Sequence, residues 1–258
     1  NQAVAAARAG AEVTFITALG DDDLGRACAE RLRAEGVNLS YALHTPEAPN
    51  GVAFILVGEG GENLIAVAAG ANSTLSPTHI QAAKAAFEGA QVVLLQLEIP
   101  METVLATVAL AGSYGCKVLL NPAPMPEGGL PADLLAQVDV FTPNEGELLA
   151  MEHTTSLEEA ARRALAQGPK LVVTTKGAEG AHAFTAEGEV SVPAIEVAPI
   201  DTVGAGDCFA GTLAVALAEG QQLEAALRFA VTAAGLSTTR EGAMDSMPTR
   251  GEIEARLG

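Results

Sequence analysis

"DTVGAGDCFAG", residues 201–211, places Gly204, Gly206 and Gly211 within eight positions and sets Asp201 and Asp207 at the ends of its first seven. An apolar helical pattern follows, with Phe209, Leu213 and Leu217 recurring every fourth residue. Such a loop reads as a phosphate cradle, a dinucleotide loop or a tight turn. No Gly-Lys pair occurs anywhere in the chain, so there is no P-loop. The dinucleotide pattern needs a third glycine three residues after Gly206, where Phe209 stands. What is left is a glycine loop running into a helix. Gly204, Ala205 and Gly206 bring bare N–H groups to the helix N-terminus, where unpaired donors and the helix dipole attract anions. Asp207 falls where those groups point. Its carboxylate reads either as a helix cap or as a base beside an anion hole. A cap does not need two glycines in front of it, and that tilts the reading towards a base that takes a proton from a hydroxyl attacking a bound phosphate.

Outward from this loop, short apolar runs alternate with helical ones. Strands are expected at 12–17, 92–97, 117–121, 138–144 and 170–175, and hairpins at 52–67 and 181–194. Helices are expected at 22–36, ended by Gly36, at 78–88 and 101–113, and on either side of Ser156. Three more, at 207–219, 222–239 and 249–257, close the sequence. Continuous apolar strands between helices imply a mostly parallel sheet covered on both faces, a three-layer α/β/α sandwich. Ligands gather at the carboxyl ends of such strands, where Glu98, Asn121, Asn144 and Thr175 stand. The first hairpin, at about 50–68, does not fit the sandwich and is expected to fold over the site as a lid on a single domain spanning 1–258.

Composition narrows the partners. The 258 residues are 49% hydrophobic but only 3% aromatic, so the core is expected to consist of Ala, Val, Leu and Ile. The net charge of −18 argues against nucleic acid and anionic membranes. An anionic nucleotide remains compatible if a cation, a lysine or backbone N–H groups supply local positive charge. Cys28, Cys116 and Cys208 are odd in number and widely spaced, which reads as reduced, cytoplasmic thiols. The four histidines lack metal-binding spacing. No apolar run reaches membrane-spanning length, and no signal peptide is visible.

Taken together, "DTVGAGD", "NQAVAAARAGAEVTFITALGDDDLG", "GEGGENLIAVAAGAN", "LLQLEIP", "NPAP", "TPNEGE" and "TTKGAEG" resemble the phosphofructokinase-B-type (ribokinase-type) carbohydrate kinases, over essentially the whole chain. The resemblance implies an ATP-dependent sugar kinase, ribose being the substrate best suited to these stretches. It makes Asp207 the base and Gly204, Ala205 and Gly206 the anion hole. Asn1 and Glu98 match residues that hold sugar hydroxyls. Asn144 and Glu147 match the element that organises Mg²⁺ and the phosphates, and Thr175, Gly177 and Gly180 match the nucleotide loop. Asp201, with the backbones of Val203, Ser237, Arg240 and Gly242 and with Ser246, resembles a monovalent-cation site for K⁺ or a similar ion. Taken singly, Glu147 reads equally as a first-turn acid and Asp201 as a turn residue.

The family's first strand, its sugar-binding Asp and part of its lid have no counterpart in these residues, so an N-terminally incomplete kinase domain is expected. Substrate choice lives largely in those parts. Fructose, a sugar acid or a nucleoside therefore stays open as substrate, as does a non-catalytic relative that binds sugar or nucleotide. Cys208 reads as a small helix residue, with an oxidisable thiol beside the site as the rival reading. Val231 and the 182–193 hairpin offer no polar group for an adenine pocket. An unpaired hairpin edge at 52–67 suits pairing with a second subunit, as in the family.

Overall fold

The computed structural model describes residues 1–57, 63–126 and 128–258. The chain opens with α1 (Gln2–Arg8), β1 (Ala18–Gly20), α2 (Asp23–Ala34) and β2 (Leu43–Thr45). A hairpin of β3 (Val52–Val57) and β4 (Asn63–Ala68) comes next, followed by α3 (Pro77–Ala82). Then β5 (Val92–Leu95), α4 (Met101–Ser113), β6 (Lys117–Leu120), α5 (Ala132–Leu135) and β7 (Val140–Phe141) alternate. They lead into α6 (Glu145–Met151), α7 (Leu157–Ala166) and β8 (Leu171–Thr175). The hairpin β9 (Ala181–Thr185) and β10 (Gly188–Val192) precedes α8 (Ala205–Ala218), α9 (Leu223–Ser237) and α10 (Arg250–Leu257). The expected turn of the first hairpin, "GEGGE", lies outside the described residues.

Six strands form the central sheet in the order β10-β9-β8-β7-β6-β5, with β5 to β8 parallel and β9 and β10 antiparallel. Side chains alternate across it, and both faces are dry. Leu119, Val140, Leu171, Val173, Ala181 and Ala183 face one hydrophobic cluster, shared with α1, α8 and α9. Val118, Leu120, Phe141, Val172 and Phe184 face the other, shared with α3, α4, α6 and α7. This is the three-layer sandwich that uninterrupted apolar strands require. The β1–β2 and β3–β4 pairs form separate two-stranded sheets.

Three expectations need correction. Residues 12–17 are not a strand; only Thr14 bridges, to Asn38. Thr14 lies opposite Asn38 but Ala18 lies opposite Leu43, one residue out of step. A turn closed by the Ala42 amide on the Leu39 carbonyl takes up the extra residue. The helix expected at 78–88 breaks at Ala83, where ψ is 10°, and continues as a 3₁₀ turn over Lys84–Phe87. The strand expected at 138–144 pairs regularly only at Val140–Phe141, resuming as a bridge between Asn144 and Thr175. Pro143 stands between the two and has no N–H to give the ladder.

The contact that matters most for the site is between α1 and α8. A Cβ on Gly211 would stand 2.5 Å from the Gln2 carbonyl oxygen and 2.9 Å from the Ala5 Cβ. Only a glycine allows the two backbones to approach this closely.

Candidate active site

The loop ahead of α8 turns at Gly204, which takes the left-handed conformation (φ 78°, ψ 0°) and is the N-terminal flanking residue of the helix. A Cβ there would come within 3.0 Å of the Ala243 Cβ. Gly206 is exposed, with nothing within 4 Å of where its Cβ would be. The first turn of α8 therefore has open space beside Gly206, while the Ala205 amide donates to the Thr202 carbonyl at 3.2 Å. No side chain caps this helix.

Asp207, in that first turn, is not a cap. Its Oδ2 accepts from Asn1 Nδ2 at 2.8 Å, and its Oδ1 accepts from Gln2 Nε2 at 2.9 Å. Gln2 Nε2 also donates to Asn121 Oδ1 at 3.0 Å, and Gln2 Oε1 accepts from Gln96 Nε2. Asn121 in turn donates from Nδ2 to the Thr142 carbonyl at 2.9 Å. Gln96, Asn121 and Thr142 directly follow β5, β6 and β7, so this network runs across the carboxyl ends of three adjacent parallel strands. Glu98, just beyond, shares no hydrogen bond with Asp207, yet burial and, after it, the negative charge of Asp207 push its carboxyl up.

A cleft of about 210 Å³ opens beside Asp207, lined among others by Asn121, Asn144, Glu147, Thr175 and Gly206. Asn144 and Glu147 hold each other across the start of α6. Asn144 Oδ1 accepts from the Glu147 amide at 2.8 Å, and Glu147 Oε2 accepts from the Asn144 amide at 2.9 Å. This is a reciprocal cap, so the first-turn acid has a structural task as well as a place in the cleft. Burial pushes the Glu147 carboxyl up, against the pull of the Asn144 amide. The Asn144–Thr175 bridge brings the start of α6 level with the end of β8. Past β8 the chain turns through Gly177 (φ 54°) and Gly180 (φ 100°), where a Cβ on Gly180 would lie 2.1 Å from the Val192 carbonyl oxygen. Gly177 itself is exposed. Lys176, just before Gly177, is held by Glu179 at 2.9 Å and Glu145 at 3.6 Å.

On the other side of Gly204, Asp201 joins two loops. Its Oδ1 accepts from the Val203 amide and its Oδ2 from the Gly242 amide, each at 2.9 Å, and these amides hold its pKa below the usual carboxylate range. The Ser237 and Ser246 hydroxyls donate to the carbonyls of Ala234 and Ala243, and the Arg240 guanidinium pairs with Glu252. Hydrogen bonds thus link Asp201, Val203 and Gly242, while the side chains of Ser237, Arg240 and Ser246 bond elsewhere. Among the described residues, no group of three or more His, Cys, Asp or Glu could hold a metal ion. Cys208 is fully buried with its thiol pushed up to about 12, chiefly by burial, which suits its reading as a small helix residue. Val231 is buried in the core.

Gln2 and Gln96 escape sequence reasoning. A glutamine near the start of an Ala-rich helix carries no signal of its own, although Gln2 adjoins Asn1 and Gln96 lies two residues before Glu98.

Residues 1–250 match the family described as pfkB family carbohydrate kinase. A ribokinase of Bacillus subtilis is 40% identical over 257 residues, covering 100% of this chain and 85% of that protein. A deoxyribokinase of Salmonella typhimurium is 36% identical over 254 residues, covering 96% of this chain and 83% of its own. Among solved structures, ribokinase from Thermotoga maritima superposes with a TM-score of 0.90 at 33% identity, covering 99% of this chain and 85% of that one. Arabidopsis thaliana ribokinase complexed with ribose and ATP gives 0.88 at 31% identity, over 99% and 85%.

Proposed function

The chain belongs to the pfkB family of carbohydrate kinases, and on that premise we propose that it transfers the γ-phosphoryl group of ATP to the primary hydroxyl of D-ribose, giving ribose 5-phosphate and ADP. One observation carries the reading beyond family membership. Asp207 stands in the first turn of a glycine-led helix with no capping duty, its carboxylate held by two side-chain amides at the edge of a polar cleft.

In this reading Asp207 takes the proton from the sugar hydroxyl as the oxygen attacks the γ-phosphorus. The bond from that phosphorus to the β-phosphate oxygen breaks, and ADP leaves. The Gly204–Gly206 loop and the dipole of α8 meet the charge that develops on the transferring group. Asn1 and Glu98 hold sugar hydroxyls; Thr175, Gly177 and Gly180 shape the nucleotide loop.

With 32 acidic residues against 14 basic ones, such chemistry calls for cations. Mg²⁺ commonly takes one or two carboxylates together with substrate phosphates, and Glu147 with Asn144 is a donor set of that kind. When bound, Mg²⁺ would neutralise phosphate charge. A monovalent ion such as K⁺ would draw on backbone oxygens of Val203, Ser237, Arg240 and Gly242 with Ser246, which leaves Asp201 to hold the loops together. The β3–β4 hairpin serves as a lid. Phe54 and Val67 are exposed on its two opposite faces, which favours contact with a second copy of the chain. Three unpaired thiols suit a reducing cytoplasm; no helix among the described residues is long and apolar enough to cross a membrane.

The experiment is ADP release from Mg-ATP with ribose, 2-deoxyribose and fructose, with and without KCl, for the wild type and Asp207→Asn. Ribose-dependent turnover that needs KCl and falls by about a hundredfold or more in the variant is the expected result. ATP binding with no turnover of any sugar would overturn the reading in favour of a binding relative.

A further inference from the structure

We propose that Gln2 is a positioning residue for the Asp207 carboxylate, itself kept in orientation by Gln96 and Asn121. The inference rests on the reading of Asp207 as base. Gln2 is only 7% exposed, and a buried amide must find partners for both donors and its oxygen. It does so with no freedom left over. A carboxylate only accepts, so the Gln2 NH₂ must face Asp207. Its second N–H goes to Asn121, whose own NH₂ is turned to the Thr142 carbonyl, and its oxygen takes the Gln96 NH₂. Each amide fixes the next, and the last is anchored on backbone. Rotating Gln2 by half a turn would set oxygen against carboxylate and NH₂ against NH₂.

The two oxygens of Asp207 are therefore unequal. Oδ1 is held from the partly buried side by Gln2, while Oδ2 has only the exposed Asn1 contact. Oδ2 is the oxygen left to meet a sugar hydroxyl, and Gln2 fixes the plane in which it does so. The charged side chains gathered around Asp207 are acidic, Glu98 beyond β5 and Glu147 on α6; Asp201 is engaged by its two amides. Gln2 thus offsets local repulsion without adding a charge.

The test compares Gln2→Glu, Gln2→Met and Gln96→Met with the wild-type protein, each checked for folding by circular dichroism and melting. Gln2→Glu sets a second carboxyl against Oδ1, and the pair then shares a proton. The expected result is a kcat lower by about tenfold or more with little change in KM for ATP. The acidic limb of the pH profile should rise by about one pH unit or more. Gln2→Met should lower kcat in the same way, and Gln96→Met, which frees the Gln2 oxygen, should lower it less. The carboxyl titration of Asp207, followed by ¹³C NMR without substrate and assigned with Asp207→Asn, should shift upward in Gln2→Glu. Wild-type kcat and an unmoved Asp207 titration in folded Gln2→Glu and Gln2→Met would overturn the proposal. If both Gln2 variants fail to fold, the same null result in Gln96→Met overturns it. A wild-type protein that phosphorylates no sugar defeats the functional reading alone, because the NMR titration still tests the relay.

Discussion

The Asp201 carboxylate accepts from the Gly242 amide at 2.9 Å and so joins the loop before α8 to the loop after α9. Removing it frees two amides at once, those of Val203 and Gly242. Hydrogen bonds to a charged group contribute about 1.5–3 kcal/mol each. Asp201→Ala should therefore lower kcat by about tenfold or more and raise the KCl concentration needed for half-maximal rate, measured as ADP release against KCl. The folded-state pKa lies below the ordinary value of 3.8. The stabilisation is accordingly complete above about pH 4 and is lost as pH falls through the lowered folded value. Acid melting curves of wild type and variant should converge there.

Gly204→Ala asks an L side chain to adopt φ 78° and to stand 3.0 Å from the Ala243 Cβ. The left-handed conformation alone costs about 1–2 kcal/mol. In a chain of this length the melting temperature should fall by about 2–8 °C. Turnover should fall further than stability does, because the displaced loop carries the amides of the anion hole.

Glu147→Gln separates structure from chemistry. Glutamine at this position can still reach back to the Asn144 amide, so α6 should keep its cap and the melting temperature should stay within about 2 °C of wild type. The charge is lost from the cleft. The Mg²⁺ concentration for half-maximal turnover should rise by about tenfold, read from a MgCl₂ titration at fixed ATP.

Cys208 sits directly after Asp207 but is sealed from solvent, with its thiol at about 12. Iodoacetamide at pH 8 should modify the half-buried Cys28 first and leave turnover unchanged, as followed by peptide mass spectrometry. Rapid alkylation at Cys208 with parallel loss of activity would contradict the packing of α8.

Local chemistry made much of this molecule readable. The 201–211 loop announces a glycine turn into a helix, and the runs 92–97, 117–121 and 170–175 announce a parallel sheet, whose strands pair over 92–95, 117–120 and 171–175, because each carries its own pattern. What escaped depends on distant partners. The offset between Thr14–Asn38 and Ala18–Leu43 is a matter of register between two segments, which neither segment encodes alone. Pro143 was visible, but its consequence, a two-residue β7, needs the neighbouring strands. Gln2 and Gln96 acquire a role only after α1 has met α8 at Gly211 and β5 has taken its place in the sheet.

Asn1 and Gln2 reach Asp207 across 206 and 205 residues of sequence. The strand–helix–strand units from β5 to β8 close over far shorter stretches, and short loops close at lower entropic cost. During refolding, secondary structure should therefore return before the base is held in place. Turnover becomes the last signal to recover, and an intermediate with most of its sheet would still be catalytically silent.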